Sequence, residues 1–167
     1  MYDKVTWPER YDPRTSAVYA LDDIDVQAPP EAVWRLLVDA ENWAGCFPPE
    51  DQARILGGEP ELAMGTEFRR VTVGFPMSLR VTEFQPFSRL SWETVVDGDE
   101  TGSSAYHGWV ITPTEYGCHV LTEETQQGRF FLDELGYRNP GALYRYHQDW
   151  VERLARAAQA EAARSAA

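Results

Sequence analysis

The sequence predicts an α+β domain: a curved antiparallel sheet of about seven strands wrapped on one long C-terminal helix, with two short helices after the first strand and an internal cavity. Three observations carry this. The last stretch of chain holds a helical apolar stripe. Strand-length segments separated by turn chemistry recur between residues 53 and 127. The 167 residues, 43% of them apolar and 13% aromatic, suit one domain with a substantial core.

Taken in order, residues 1–17 carry Pro8 and Pro13 together with Tyr2, Trp7 and Tyr11, and read as an irregular arm that packs on the body. The body spans 18–162, and 163–167 is a frayed tail. "VYALDDIDVQAPP" alternates as a first strand with Ile24 and Val26 on one face. Pro29-Pro30 ends it, and Pro30 opens a short helix whose inner side is Val33, Trp34, Leu37 and Val38. A second short helical piece runs through Trp43 and Phe47 to Pro48-Pro49. Strand candidates follow at 53–57, 66–73, 77–84, 89–96, 104–112 and 118–127. They are separated by Gly57-Gly58, Gly74-Phe75-Pro76, Pro86, Asp97-Gly98-Asp99 and Pro113 through Gly117. Residues 128–138 read as a loop or broken turn.

The final helix is placed from Asn139 as N-cap, with Pro140 at the first helical position. At 100° per residue, Leu143, His147, Trp150, Leu154, Ala157 and Ala158 share a stripe, opposite Arg145, Gln148, Glu152, Arg156 and Gln159. The stripe is too thin for the helix to stand alone, so it lies against the sheet. One long and two short helices cover such a sheet only partly, which leaves a cavity.

A formal charge of −12 argues against nucleic acid or an anionic membrane as main partner. Fourteen of the fifteen basic residues are Arg and only Lys4 is Lys, which argues against a lysine Schiff base. Cys46 and Cys118 lack metal-ligand spacing and read as reduced, buried small hydrophobes. With no membrane-span run and no signal-peptide pattern, the expected location is cytoplasmic. No metal constellation, phosphate loop, Ser-His-Asp order or dinucleotide fingerprint is present, so no cofactor is expected.

The stretches "DIDVQAPPEAVWRLLVDAENWAGCFP", "GTEFRRV", "VTEFQPFSRLSWE", "HGWVITPTEYGCHVLTEETQQG" and "HQDWVERLARAAQAE" resemble the START-related helix-grip (SRPBCC) superfamily. Within it they are most similar to the polyketide cyclase/dehydrase and lipid-transport branch, over roughly residues 18–162. The resemblance implies a helix-grip fold with a cavity for a hydrophobic small molecule. The superfamily includes aromatic-polyketide cyclases, lipid and hormone binders, and co-chaperones.

Chemistry must then come from isolated polar side chains facing an apolar cavity. His147 sits mid-stripe and can act as an acid, a base or a hydrogen-bonding group; the competing reading is a satisfied structural histidine. Glu123 and Glu124 point to opposite faces of their strand. The resemblance places Glu124 where some cyclases carry a catalytic histidine, and on that ground Glu124 is taken as inward. Burial among aromatics is then expected to raise its pKa; the competing reading is an ordinary solvated glutamate. If the hairpin turns over Pro113–Tyr116, His107 lies beside Thr122 and diagonally near Glu124, while His119, of opposite parity to Val120, is expected to be exposed.

Phe68, Trp92, Trp109, Trp150, Leu143 and Thr122 are assigned to the cavity wall. A cyclase arginine position aligns with Thr82, so Arg80, two residues earlier on the same face, is assigned to ligand binding. An acidic cyclase position aligns with Asp149, which helical geometry turns away from the stripe. The expected function is binding of a polyketide, lipid or terpenoid, with Glu124, His147 and His107 as candidates for cyclase- or dehydratase-type acid/base catalysis. The alternatives are a non-catalytic carrier and a co-chaperone-like interaction domain; the expected state is monomer or homodimer.

Overall fold

The computed structural model describes residues 1–45, 52–72 and 74–167. Seven strands form one antiparallel sheet: β1 Val18–Val26, β2 Ala53–Ile55, β3 Glu67–Thr72, β4 Phe75–Gln85, β5 Arg89–Val96, β6 Ser104–Thr114 and β7 Gly117–Gln127. Their order is β1-β7-β6-β5-β4-β3-β2, so every neighbour but β1–β7 is also consecutive in the chain. Pairing β1 with β7 brings the start of the body beside its last strand.

Pro30 opens the first helix, Pro30–Val38, which buries Val33, Trp34, Leu37 and Val38. Its fixed φ and missing N–H suit the first turn of a helix. A 3₁₀ segment, Ala40–Gly45, follows and buries Trp43, whose indole N–H donates to the carbonyls of Leu36 and Leu37. Cys46, Phe47 and Pro48-Pro49 lie outside the described residues. Cys118 is buried without a disulfide, and burial pushes its thiol pKa up to about 11.

The C-terminal helix is Ala142–Ser165 and buries Leu143, His147, Trp150, Val151, Leu154, Ala155 and Ala158. Its cap and its first residue each lie two residues later than expected, at Gly141 and Ala142 in place of Asn139 and Pro140. Gly141, with φ +80°, supplies the cap position in a left-handed conformation open to glycine. Residues 128–138 are more regular than expected: a helical turn at Arg129–Phe131 continues into a π-helical turn at Leu132–Arg138.

The helix and the inner face of the sheet meet over a solid aromatic layer. Trp43, Phe68, Trp92, Trp109 and Trp150 are each at most 1% exposed. Trp150 meets Trp43, Trp92 and Trp109 at centroid separations of 5.4, 6.2 and 5.1 Å. Offset and edge-on rings at these distances pack favourably as well as burying area.

The arm lies across the outer face. Val5, Tyr11, Tyr106, Val110 and Leu121 form a second apolar cluster, with Trp7 packed against it. The Val5 amide donates to Glu123 at 2.9 Å, the Tyr19 hydroxyl donates to the same carboxylate at 2.6 Å, and Arg89 donates to the Lys4 carbonyl at 2.8 Å. His119 is buried rather than exposed, because the arm covers the outer face there: Tyr2 stacks on its ring at 3.8 Å, and Asp25 and Asp23 flank its nitrogens at 2.8 and 3.1 Å. β6 and β7 are thus covered on both faces.

Gly108 is what lets the arm approach, because a Cβ there would come within 2.6 Å of a Val5 methyl and 3.0 Å of the Ser91 hydroxyl. Gly108→Val is expected to lift the arm and cost about 1–3 kcal/mol, the range for overpacking. Hydrogen exchange at the Val5 amide should rise by orders of magnitude. Parent-like protection of that amide would show that the arm does not depend on this contact.

Candidate functional site

Four polar side chains from three strands and the helix converge beneath the aromatic layer. Asp22 is on β1, His107 on β6, Glu124 on β7 and His147 on the C-terminal helix. His107 and Glu124 are direct cross-strand partners, two residues in register away from the expected pairing of His107 with Thr122. The hairpin turns more tightly than expected, with Thr114 opposite Gly117, and a shift of this size keeps the same faces together.

One oxygen of Glu124, Oε2, lies 3.4 Å from His107 Nδ1 and 3.4 Å from His147 Nε2. The other, Oε1, accepts from the Gln126 amide at 2.8 Å. His147 Nδ1 faces Asp22 Oδ2 at 3.3 Å. His107 Nε2 lies 2.7 Å from the Thr122 hydroxyl, which donates to the Gly108 carbonyl at 3.1 Å. Since that hydroxyl has one proton, His107 Nε2 is the donor to it. The Nδ1 lone pair then faces Glu124.

The two imidazoles stack at 4.8 Å, and Trp109 stacks on the far side of His107 at 5.4 Å. His107 is 3% and His147 0% exposed. Burial holds the His107 pKa well below its ordinary value and outweighs the attraction of Glu124. Burial also opposes charge on His147, but Asp22 and Glu124 outweigh it and raise the pKa. For Glu124, burial pushes upward, yet the two imidazoles and Gln126 bring the pKa down to about 2. The expected elevation is therefore reversed, because desolvation is countered by partners that arrive from other elements.

Beside this cluster is a small, partly open space of about 30 Å³, room for little more than a water or two. Glu124, His107, Arg70, Trp92, Trp150 and Leu143 are among its walls. The aromatic side chains themselves fill most of the volume expected to be open. Phe68 lies deeper, packed edge-on to Trp43 and Trp92, and Trp109 and Thr122 sit behind His107, outside the walls of this space. A groove of about 430 Å³ runs outside it, past Tyr19 and Gly136, and shares Leu135 and Leu143 with the inner space.

Arg80 does not join the site. It is exposed on the outer face between Glu67 and Glu93. Thr82 sits at a β-bulge between Val81 and Glu83 and is also exposed. Asp149 pairs instead with Arg153 along the helix at 2.8 Å. The arginine that does enter is Arg70 of β3, 5% exposed, with its guanidinium 4.6 Å from the Trp150 ring and hydrogen-bonded to the Tyr146 hydroxyl. Arg70 shares the parity of Phe68, and Asp22 that of Ile24 and Val26. Strand alternation could therefore have revealed both.

The sequence pattern of the family described as "Polyketide cyclase / dehydrase and lipid transport" matches residues 20–163. No curated protein matches the chain. Among solved structures, protein jhp0584 of Helicobacter pylori superposes with a TM-score of 0.84 at 21% identity, over 93% of this chain and 96% of that one. StfQ, the di-domain ARO/CYC from the steffimycin biosynthetic pathway, superposes with a TM-score of 0.66 at 16% identity, over 94% of this chain and 54% of StfQ. DynU16, from the dynemicin biosynthetic locus, does so at 0.57 and 23% identity, over 83% of this chain and 46% of DynU16. At these identities the likeness is one of fold.

Proposed function

We propose, for a chain that belongs to the polyketide cyclase/dehydrase and lipid-transport family, that it binds a polyketide-, lipid- or terpenoid-like molecule between sheet and C-terminal helix and can act on it by proton transfer. The observation that supports this most is the meeting of His107, Glu124 and His147 at an aromatic-walled space. Such a cluster costs desolvation free energy that a purely structural core avoids. In the resting protein Glu124 is the carboxylate and His147 the imidazolium that holds it ionised. His107 borders the space with an unprotonated Nδ1, so it is placed to take a proton from a substrate carbon or hydroxyl, while Glu124 stabilises the charge that forms on it and Arg70 is placed to receive an oxygen.

A ligand of ordinary size needs about 300 Å³ or more, so the inner space must open. Leu135 and Leu143 separate it from the outer groove. In this reading the Leu132–Arg138 turn moves aside and the two spaces join. No helix among the described residues is long and apolar enough to cross a membrane. The proposed setting is a water-soluble, cytoplasmic protein.

Native mass spectrometry of freshly purified protein, then solvent extraction, tests the binding. A retained hydrophobic molecule is the expected result. With its substrate identified, Glu124→Gln should keep affinity within a few-fold and lower turnover by about 10²–10⁴-fold. Empty protein whose melting temperature is unmoved by a lipid and polyketide panel would refute the binding. Parent-like turnover by the variant would leave a carrier without this catalysis.

A further inference from the structure

From the geometry of the same cluster we infer that His107, Glu124 and His147 form a binding site for a divalent first-row transition-metal ion, of which Zn²⁺ is the best match. The ligand atoms of the three lie within 4.8 Å of one another. The two separations from Glu124 Oε2, both 3.4 Å, exceed ordinary charge-assisted hydrogen bonds of about 2.7–2.9 Å. They equal the edge of about 3.4 Å that a tetrahedron has around an ion with bonds of about 2.0–2.1 Å. The third side, between the two imidazole nitrogens, is the long one at up to 4.8 Å, so binding draws the rings together by about 1 Å or more. Two imidazoles and one carboxylate are a donor set that zinc and iron both accept.

The outer contacts fit a metal as well. Thr122 takes the His107 Nε2 proton, which leaves the Nδ1 lone pair aimed at Glu124. A lone pair facing a carboxylate oxygen is repulsive unless a cation lies between them. Asp22 faces the remote nitrogen of His147, the carboxylate–histidine arrangement that orients metal-ligating imidazoles. Gln126 fixes the second oxygen of Glu124. Each of the three donors thus has a separate partner holding its far side. Three protein donors leave a fourth position, and Glu124 and His107 both border the inner space where a ligand oxygen or a water would occupy it.

The ion changes the chemistry of the site. Both imidazoles would lose their proton-carrying lone pairs to it, and acid/base work would pass to a bound water. This inference depends on the ligand-binding proposal only for what occupies the fourth position; the ion itself is tested without any organic ligand.

Chelator-treated whole protein is titrated with Zn²⁺ and Co²⁺ at pH 7.5, followed by calorimetry and visible absorption. One equivalent should bind with micromolar or better affinity, and Co²⁺ should give the intense bands of a four-coordinate site. X-ray absorption of the Zn²⁺ form should show two imidazole nitrogens, one or two oxygens and no sulfur. Glu124→Gln should weaken binding by at least tenfold. Failure of either ion to bind at 100 µM, a first shell without two imidazoles, or unweakened binding by the variant would each overturn the inference. The absorption measurement uses unmutated protein, so it decides the matter even if the variant is unstable. A protein that holds an extracted hydrophobic ligand but no metal would sink this inference alone. Metal without ligand would sink only the ligand-binding proposal.

Discussion

Trp150→Ala should lower the free energy of unfolding by about 3–5 kcal/mol, the range for truncating a buried Trp. The side chain is 1% exposed and lies at the centre of the interior. It meets the rings of Trp43, Trp92 and Trp109, the edge of His107, and the Arg70 guanidinium. Its neighbours come from the sheet and from the 3₁₀ segment, so no single element can shift to fill the space. A domain of this size has about 5–15 kcal/mol in total, so much of its stability would be lost. Urea unfolding at 25 °C measures this. The variant should also take up an apolar dye that the parent excludes, because the vacated volume adjoins the inner space. A loss below about 1 kcal/mol would mean that the layer repacks freely, contrary to the interlocking of these rings.

Glu124→Leu should cost a similar amount, about 3–5 kcal/mol in metal-free protein, as expected for removing one partner of a buried ionic cluster. Its carboxylate accepts from Gln126, holds the charge on His147 and lies beside His107. Without it the Gln126 amide and His147 Nε2 lose their acceptor, and Asp22 alone remains beside the imidazolium. Glu124→Gln should cost markedly less, since an amide oxygen can still accept from one of these groups. Thermal and urea unfolding of the two variants side by side decide it. If leucine is as stable as glutamate, the cluster is not held together by this carboxylate, and its role as shared acceptor fails.

Much of the architecture was legible because it is written in local periods. Turn chemistry between residues 57 and 117 marked each strand to within a few residues, and Pro30 marked the first helix. The stripe through Leu143, His147, Trp150 and Leu154 marked the face of the last helix that is buried. His107, Glu124 and His147 were each assigned inward from parity, helical phase or family resemblance, and the structure brings all three together.

What the sequence did not supply came from contacts between distant segments. Arg80 was assigned by alignment, but Phe68 and Arg70 share the face that points inward, while Arg80 shares the parity of exposed Pro76 and Thr82. The arm could be expected to pack, but not that Val5 would sit over Gly108 and turn outward Glu123 into a buried acceptor. The low pKa of Glu124 likewise depends on partners 17 and 23 residues away in the chain. The size of the inner space was the hardest to foresee, since the same aromatic residues can line a cavity or fill it.

The sequence by itself determined which elements form and which face of each is apolar, because alternation and helical phase belong to a single segment. Only the tertiary structure decided that Asp22, His107, Glu124 and His147 meet, at separations of 3.3 and 3.4 Å. That outcome depends on strand register and on how the helix crosses the sheet. Both are set by packing among elements far apart in the chain.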